Sequence, residues 1–451
     1  MYKYIFIIIF FTLILIFMKR VLIKDALLST KEVVVAGFVD AIRDKKNICF
    51  IVVRDISSKM QLTIDKLLYP HLSNIVSSIS LGSVIEASGV IQKTDFVKLN
   101  GVEMLVENIK ILSYALPSPI VSSQDTETNL NLRLNYRWLD LREEKNILMF
   151  QVQTFMVNAC RRFLLERNFI EIHTPKLIST ESESGAGVFH VDYFGRVAYL
   201  AQSPQFYKQM AMAAGFERVF EIGPVFRAEK SNSRKHATEF SGLDVEIAYI
   251  SSFEEVMDLE QKMLVYALEN IKTQYGNKIK ELYGIDVIVP KCKFPVVKLS
   301  DLYIMLENLY GYSVDEKEKV DLTSDAERLC ERLAKEQYDS EFLFVTYFPA
   351  EKRAFYHMRD ENNIPCGYDL IWKGVEITTG AQREHRYEVL KRQAEEKGLC
   401  DNVKDYLEFF KYGCPPHGGF GIGIDRLTLI LFNSTIKQSM FLFRGPDRIK
   451  P

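Results

Sequence analysis

Residues 218–250 read RVFEIGPVFRAEKSNSRKHATEFSGLDVEIAYI, and this stretch decides the fold. Two strand-like runs flank a polar, cationic loop from Ala228 to Lys235. The first run ends on Arg227 and the second begins near Thr238, which predicts an antiparallel hairpin. Its root carries Arg227 and Glu229, with His236 and Phe240 on the returning side. Arginine presents a planar donor fork that matches phosphate, so a hairpin of this kind suits a polyphosphate. A surface hairpin with ordinary ion pairs uses the same residue types, and the loop alone does not separate the two.

Toward the C-terminus, PPHGGFGIGIDRLTLILF (415–432) runs from a glycine-rich segment into an apolar, helix-like one. Gly418, Gly419, Gly421 and Gly423 permit close backbone approach to a ligand, and Arg426 falls on the first helical turn. Many buried turns have this pattern, so it too is open when taken alone. Toward the N-terminus, FIEIHTPKL (169–177) follows a helix expected at about 146–167. The apolar residues of that helix, Leu148, Val152, Phe155, Met156, Ala159 and Phe163, keep helical spacing. Pro175 lacks a ladder donor and suits a sheet edge. From there to Pro451, helices alternate with strands that read as antiparallel.

Before the helix, five short Val- and Ile-rich runs occur at 32–40, 48–55, 60–64, 83–92 and 102–112, with one helical interruption near 65–80. That order fits a small Greek-key barrel such as an OB-fold, or another small all-β module. A Pro-, Ser- and Thr-rich stretch, ALPSPIVSSQDTETNL (115–130), marks a boundary. The expected division is therefore 1–20, 21–115, 116–145 and 146–451. Across the 451 residues, 57 Lys+Arg against 59 Asp+Glu leave a formal charge of -2. Global charge gives no sign of a nucleic-acid partner, although composition is blind to a local basic surface. With 47% hydrophobic and 26% charged residues, the chain is neither disordered nor collagen-like. Its seven dispersed cysteines contain no Cys-x-x-Cys, which argues against structural zinc and for reduced thiols. No Walker loop or dinucleotide-type glycine fingerprint occurs.

The three elements together resemble motifs 1, 2 and 3 of the class II aminoacyl-tRNA synthetases, in order. FRAE (226–229) and GIGIDR (421–426) carry the match. Within that class the sequence is most similar to aspartyl-tRNA synthetases of the eukaryotic and archaeal type, through AQSPQFYKQ (201–209), HATEFSGLDVE (236–246) and TTGAQREH (378–385). The resemblance implies an α/β (α+β) chain: an N-terminal OB-fold β-barrel, then a catalytic domain built on an antiparallel sheet flanked by helices. It implies an ATP-dependent ligase that joins L-aspartate to tRNA-Asp through an aspartyl-adenylate, acting as a cytoplasmic homodimer with no membrane partner. By the same resemblance Arg227 and Arg426 are catalytic, on the α- and γ-phosphates. Glu229, His236 and Glu376 help seat ATP, and Phe240 stacks under adenine. Asp369 and Glu376 look like Mg²⁺ ligands. Aspartate falls to Glu183, Gln205, Lys208, Asp244, Thr379 and Arg383, with Lys208 and Arg383 on its side-chain carboxylate. Asp244 takes the α-ammonium or holds one of those cations. Ser182, Glu183 and Gly185 belong to a segment resembling a mobile lid, and His417 is expected near the reacting carboxylate. Phe50 matches an anticodon-stacking position, unless it is a core aromatic, while Gln61 and Glu103 match base-reading positions. Pro175 belongs to the element resembling the dimer interface.

The departures are specific. Val375 stands where the family usually has a glutamate, Asp425 replaces the usual glutamate before Arg426, and Thr379 replaces a common serine. The rival readings are an asparaginyl-tRNA synthetase, a synthetase-like paralogue that no longer charges tRNA, and an asparagine synthetase derived from the same catalytic core, which the barrel argues against. Gln382 favours the aspartate enzyme, and the presence of both Arg227 and Arg426 disfavours the paralogue. The apolar run Tyr4–Met18 is short for a span, which needs about 20 residues. No signal cleavage site follows it. The native protein is therefore expected to begin at or near Met18.

Overall fold

The computed structural model describes residues 19–121, 128–179, 187–231, 233–290 and 293–451. The expectations for Tyr4–Met18 and for the segment with Ser182, Glu183 and Gly185 lie outside the described residues. Two compact units divide between Leu139 and Asp140, within the stretch read as a linker.

In the first unit, five strands close into a barrel in the order β1-β2-β3-β5-β4. They are β1 (Glu32–Asp44), β2 (Ile48–Arg54), β3 (Lys59–Asp65), β4 (Val84–Lys93) and β5 (Val102–Ser113). Alternation sets which side chains enter the barrel, because successive strand residues face opposite sides. Cys49, Ile51 and Val53 of β2 are wholly buried with Met60, Leu62, Ile64, Ile85 and Met104. Phe50, Val52 and Arg54 consequently face out. All pairs are antiparallel except β3 with β5. The helix Leu72–Ser78 interrupts the strands where expected and buries Leu72 and Val76. A short helix, Ile23–Ala26, has no periodic signal in the sequence and buries Ile23 and Ala26 against the same core. Asp55 holds it by accepting from Ile23 N at 2.8 Å.

In the second unit, eight strands form one sheet in the order β12-β13-β14-β15-β16-β11-β10-β6. These are β6 (Ile170–Glu171), β10 (Arg218–Phe226), β11 (Glu239–Ala248), β12 (Val296–Lys298), β13 (Phe342–Thr346), β14 (Gly367–Trp372), β15 (Val375–Arg383) and β16 (His417–Gly423). A small sheet of β7 (Leu177–Ile178), β9 (Arg196–Leu200) and β8 (His190–Tyr193) stands apart from it. The expected antiparallel pattern holds through the middle, while both edges, β12 on β13 and β6 on β10, are parallel. Parallel neighbours need a crossover rather than a hairpin. The segment between β6 and β10 makes that crossover with the small sheet and the helix Gln205–Ala213.

The helix Glu144–Leu165 buries Leu148, Val152, Met156, Ala159 and Phe163 against the sheet and against a second helix, Phe253–Tyr283. Gly284, in the left-handed conformation at φ 69°, ends that second helix. The first strand of the sheet is shorter than expected: it ends at Glu171, and Pro175 lies beyond it, exposed, in the connection to β7. Glu221 of β10 holds that connection by accepting from Thr174 Oγ1 at 2.7 Å and Lys176 Nζ at 2.6 Å.

One buried acid sits under the sheet. Glu260 accepts from Tyr368 Oη at 2.6 Å, and burial pushes its carboxyl from 4.5 up to about 7. The folded chain therefore keeps a proton that the unfolded chain gives up between those values. Stability falls as pH rises through this window. Glu260→Gln is expected to leave stability near wild type at pH 5 and to raise it by about 3 kcal/mol at pH 8. Urea midpoints at the two pH values check this.

Candidate active site

The hairpin of β10 and β11 is pinned at its root, where Arg227 N donates to Thr238 O at 2.9 Å. The Arg227 guanidinium lies over the Phe240 ring, 5.5 Å from its centroid. Its Nε is buried and has no hydrogen-bond partner among the described residues. A buried donor without a partner is costly, and this one belongs to a residue that lines an open cleft. His236 follows in the returning loop, with Nδ1 2.5 Å from Ser233 Oγ and 3.2 Å from Ser231 Oγ. Burial, then the charges of Arg426 and Lys235, hold its pKa below the usual value. Glu229 is half-buried beside the cleft-lining residues rather than among them.

The glycine-rich strand β16 pairs with β11 and leads directly into the helix Ile424–Leu431. Gly421 faces Asp244 so closely that a Cβ there would sit 2.9 Å from Asp244 Oδ1. Gly419 is small for an internal reason: a Cβ would collide with Val245 O and the Glu246 carboxylate. The glycines thus split, with Gly421 and Gly423 lining the cleft and Gly418 and Gly419 admitting neighbouring protein. Arg426 donates from Nη1 to Glu376 O at 2.9 Å. Asp425 is buried and accepts from Ser241 N at 3.1 Å. That bond ties the helix to the hairpin.

The cleft brings together Arg227, Phe240, Glu376 and Arg426 with Gln205, Asp244, Thr379 and Arg383. Arg383 is held on three sides. Its Nε donates to Glu246 Oε1 at 3.0 Å, Nη2 to Gly419 O at 2.8 Å, and Nη1 lies 3.4 Å from His357 Nε2. Burial would raise the Glu246 carboxyl, but Arg383 and Lys208 together outweigh it and hold it low. His357 lines the cleft and was not marked by any motif. Burial and the charges of Arg383 and Arg353 push its pKa well below the usual value, so the imidazole is neutral.

Two expected contacts are placed differently. Lys208 is fully buried under the cleft, where Nζ donates to Asp244 Oδ1 at 2.9 Å and lies 3.5 Å from Glu246 Oε2. A charge in so dry a place needs a counter-charge, and Asp244 supplies it. Asp244 thus pairs with one of the two cations expected in the pocket. His417 is also buried, with Nε2 2.9 Å from Gln209 Nε2 and a pKa pushed by burial down to about 4. It supports the sheet and does not line the cleft.

Asp369 and Glu376 share Thr379, whose Oγ1 donates to Asp369 Oδ1 at 2.9 Å and lies 3.4 Å from Glu376 Oε1. Asp369 is also gripped by Arg353, Nη1 to Oδ1 at 2.8 Å and Nη2 to Oδ2 at 2.7 Å. Burial and the Glu376 charge raise Asp369 to about 6 against the pull of Arg353. Burial would raise Glu376 as well, but Arg426, Lys235, Arg353 and Arg227 hold it low. Among the described residues no group of three or more His, Cys, Asp or Glu is poised for a metal ion. The hard oxygen donors of Glu376 and Thr379 suit Mg²⁺, while both oxygens of Asp369 are engaged by Arg353. Val375 packs against the core and does not line the cleft.

On the barrel, Phe50 faces outward directly across from Thr63, and Gln61 across from Glu103. Gln61 Nε2 donates to Glu103 Oε2 at 3.1 Å, and Thr63 Oγ1 bonds the same oxygen. The alternation places Phe50 on the outer face with these polar groups, not in the core.

A family model described as tRNA synthetases class II (D, K and N) matches residues 129–443, and an OB-fold nucleic acid binding domain matches 33–112. The chain belongs to the class II tRNA synthetases of this D, K and N group. It is 38% identical over 446 residues to an aspartate–tRNA(Asp/Asn) ligase of Aeropyrum pernix, covering 96% of this chain and 100% of that one. Among solved structures it is similar to the aspartyl-tRNA synthetase of Entamoeba histolytica, at 30% identity and TM-score 0.85 over 96% of this chain and 93% of that one. The asparaginyl-tRNA synthetase of Pyrococcus horikoshii with asparaginyl-adenylate gives TM-score 0.88 at 27% identity, covering 96% and 100%. No helix among the described residues is long and apolar enough to cross a membrane.

Proposed function

We propose that the chain is an aspartate–tRNA ligase that joins L-aspartate to tRNA-Asp with ATP, through an aspartyl-adenylate. The observation that carries the choice of amino acid is Arg383, a guanidinium fixed by Glu246 and Gly419 O at one side of the cleft. A fixed cation there favours the aspartate carboxylate over the neutral, nearly isosteric asparagine amide. Relatives at 36–38% identity that are named as aspartate ligases support the same choice.

Adenylate formation requires the aspartate α-carboxylate to attack the ATP α-phosphorus while pyrophosphate leaves. Most of the work is placement and charge neutralisation. Phe240 offers its face to adenine, and Arg227 meets the α-phosphate with a donor that has no partner among the described residues. Glu229 and His236 help seat the nucleotide, and Arg426 reaches the γ-phosphate. Glu183, Gln205, Asp244 and Thr379 bind the amino acid, with Lys208 acting through Asp244. Mg²⁺ would be held by Glu376 and Thr379, with Asp369 behind them, and would supply positive charge to the departing phosphates. In the second step a terminal ribose hydroxyl of the tRNA attacks the adenylate carbonyl, and AMP leaves. The protein is a cytoplasmic homodimer in this reading, with the helix Glu144–Leu165 and the Pro175 connection at the two-fold contact. Light scattering at micromolar concentration should give twice the protomer mass.

Pyrophosphate exchange with aspartate, then aminoacylation of tRNA-Asp and tRNA-Asn, tests the assignment. Exchange driven by asparagine instead of aspartate would sink it. The barrel gives a separable prediction. Phe50→Ala is expected to lower kcat/KM for tRNA by about 5- to 150-fold, the size of one lost stacking contact, and Gln61→Ala to lower it through the loss of base-edge hydrogen bonds. Exchange without tRNA should stay within about twofold of wild type, since these residues lie in the other unit. Collapse of exchange in either variant would refute a role confined to the anticodon.

A further inference from the structure

Glu327 sits outside every motif discussed above, on the first turn of the helix Ser324–Tyr338. An acid on a first turn usually does no more than meet the positive end of the helix. Here the carboxylate is largely buried, at 6% exposure, and its oxygens go to two different elements. Oε1 accepts from the backbone N of Glu376 at 2.5 Å. Oε2 pairs with Lys235 of the cationic hairpin loop. The helix seats closely on the turn before β15: at Gly374, φ 71°, a Cβ would lie 3.1 Å from Arg328 O and 3.3 Å from Glu327 O. Glu376 is thereby tied at both backbone ends, its N to Glu327 and its O to Arg426 Nη1.

We propose that Glu327 is a positioning residue that locks the hairpin loop, Glu376 and Arg426 into one phosphate-binding arrangement. It acts on the ATP side of the cleft alone. The aspartate-binding residues rest on Arg383, Glu246, Asp244 and Lys208, whereas the Glu327 carboxylate goes to Lys235 and Glu376 N. The inference rests on the assignment of Arg426 and Glu376 to ATP. A purely structural acid would affect both substrates together through loss of fold, whereas a phosphate-side clamp separates them.

The test measures KM for ATP and for aspartate in pyrophosphate exchange, with thermal melting of each variant. Glu327→Gln keeps an acceptor for Glu376 N and loses the charge facing Lys235. It is expected to raise KM for ATP about tenfold, with KM for aspartate within about twofold and an unchanged melt. Glu327→Ala should raise KM for ATP further. Lys235→Met combined with Glu327→Gln should be no worse than the poorer single variant, because the two side chains form one contact. Wild-type KM for ATP in a folded Glu327→Gln protein, or equal rises for both substrates, would overturn the proposal. Arg426→Ala run in parallel separates the assumptions. If it leaves KM for ATP unchanged, the ATP assignment fails. If it raises KM while Glu327→Gln does not, only the role of Glu327 fails.

Discussion

Arg383→Ala is expected to lower aspartate-dependent pyrophosphate exchange by about three orders of magnitude or more. Two losses add. The substrate carboxylate loses a fixed guanidinium, a charge-pair truncation that costs about 2–5 kcal/mol. Glu246, wholly buried, is left with Lys208 at 3.5 Å as its remaining cation. Removing one partner of a buried pair destabilises by about 3–5 kcal/mol, so the alanine variant should also melt earlier. Arg383→Lys resolves the ambiguity. It keeps a positive charge for Glu246 but loses the planar fork that also reaches Gly419 O. That variant should melt close to wild type and still lose about 100-fold in kcat/KM for aspartate, with KM for ATP little changed. Exchange within about fivefold of wild type in a folded Arg383→Lys enzyme would remove Arg383 from the pocket.

What a sequence makes legible depends on how local the cause is. The five barrel strands were legible because each alternates or runs apolar over its own length, as Cys49, Ile51 and Val53 do against Phe50 and Val52. The hairpin root and Arg426 were legible because a short motif carries the residue and its turn together. Ile23–Ala26 was not, since four residues have no period and the helix exists only through the barrel core and Asp55. The partners of Lys208 and Asp369 were illegible for a different reason. Lys208 finds Asp244 across 36 positions and Asp369 finds Arg353 across 16, and nothing local marks Arg353 as that partner. His357 and Glu327 are of the same kind: ordinary residues in ordinary segments, placed by strand order and helix seating. Even the glycines of 418–423 misled in part, because a missing side chain reads the same whether the space is for a ligand or for Glu246.

Arg227→Ala is expected to reduce kcat for exchange by about 100- to 1000-fold, the loss typical of one oriented donor aimed at developing charge. Its placement differs from that of Arg383. Arg383 spends its donors on Glu246 and Gly419 O and is part of the packed floor. Arg227 is anchored through its backbone to Thr238 O and rests its guanidinium over Phe240. Its buried Nε has no partner among the described residues. A donor kept unpaired contributes nothing to folding and costs stability, so it is worth keeping only where a ligand completes it. Alanine here should therefore leave the melting temperature no lower than wild type, in contrast to Arg383→Ala. KM for aspartate should change little, because Arg227 is assigned to the nucleotide and its guanidinium rests over Phe240 rather than on the residues assigned to aspartate. Arg227→Lys retains charge without the fork and should recover a small part of the rate. Single-turnover adenylate formation, with melting curves alongside, checks each arm. If the alanine variant forms adenylate within about fivefold of wild type, the α-phosphate role belongs to another cation of the cleft, and Arg426 is the candidate, since Arg383 spends its donors on Glu246 and Gly419 O.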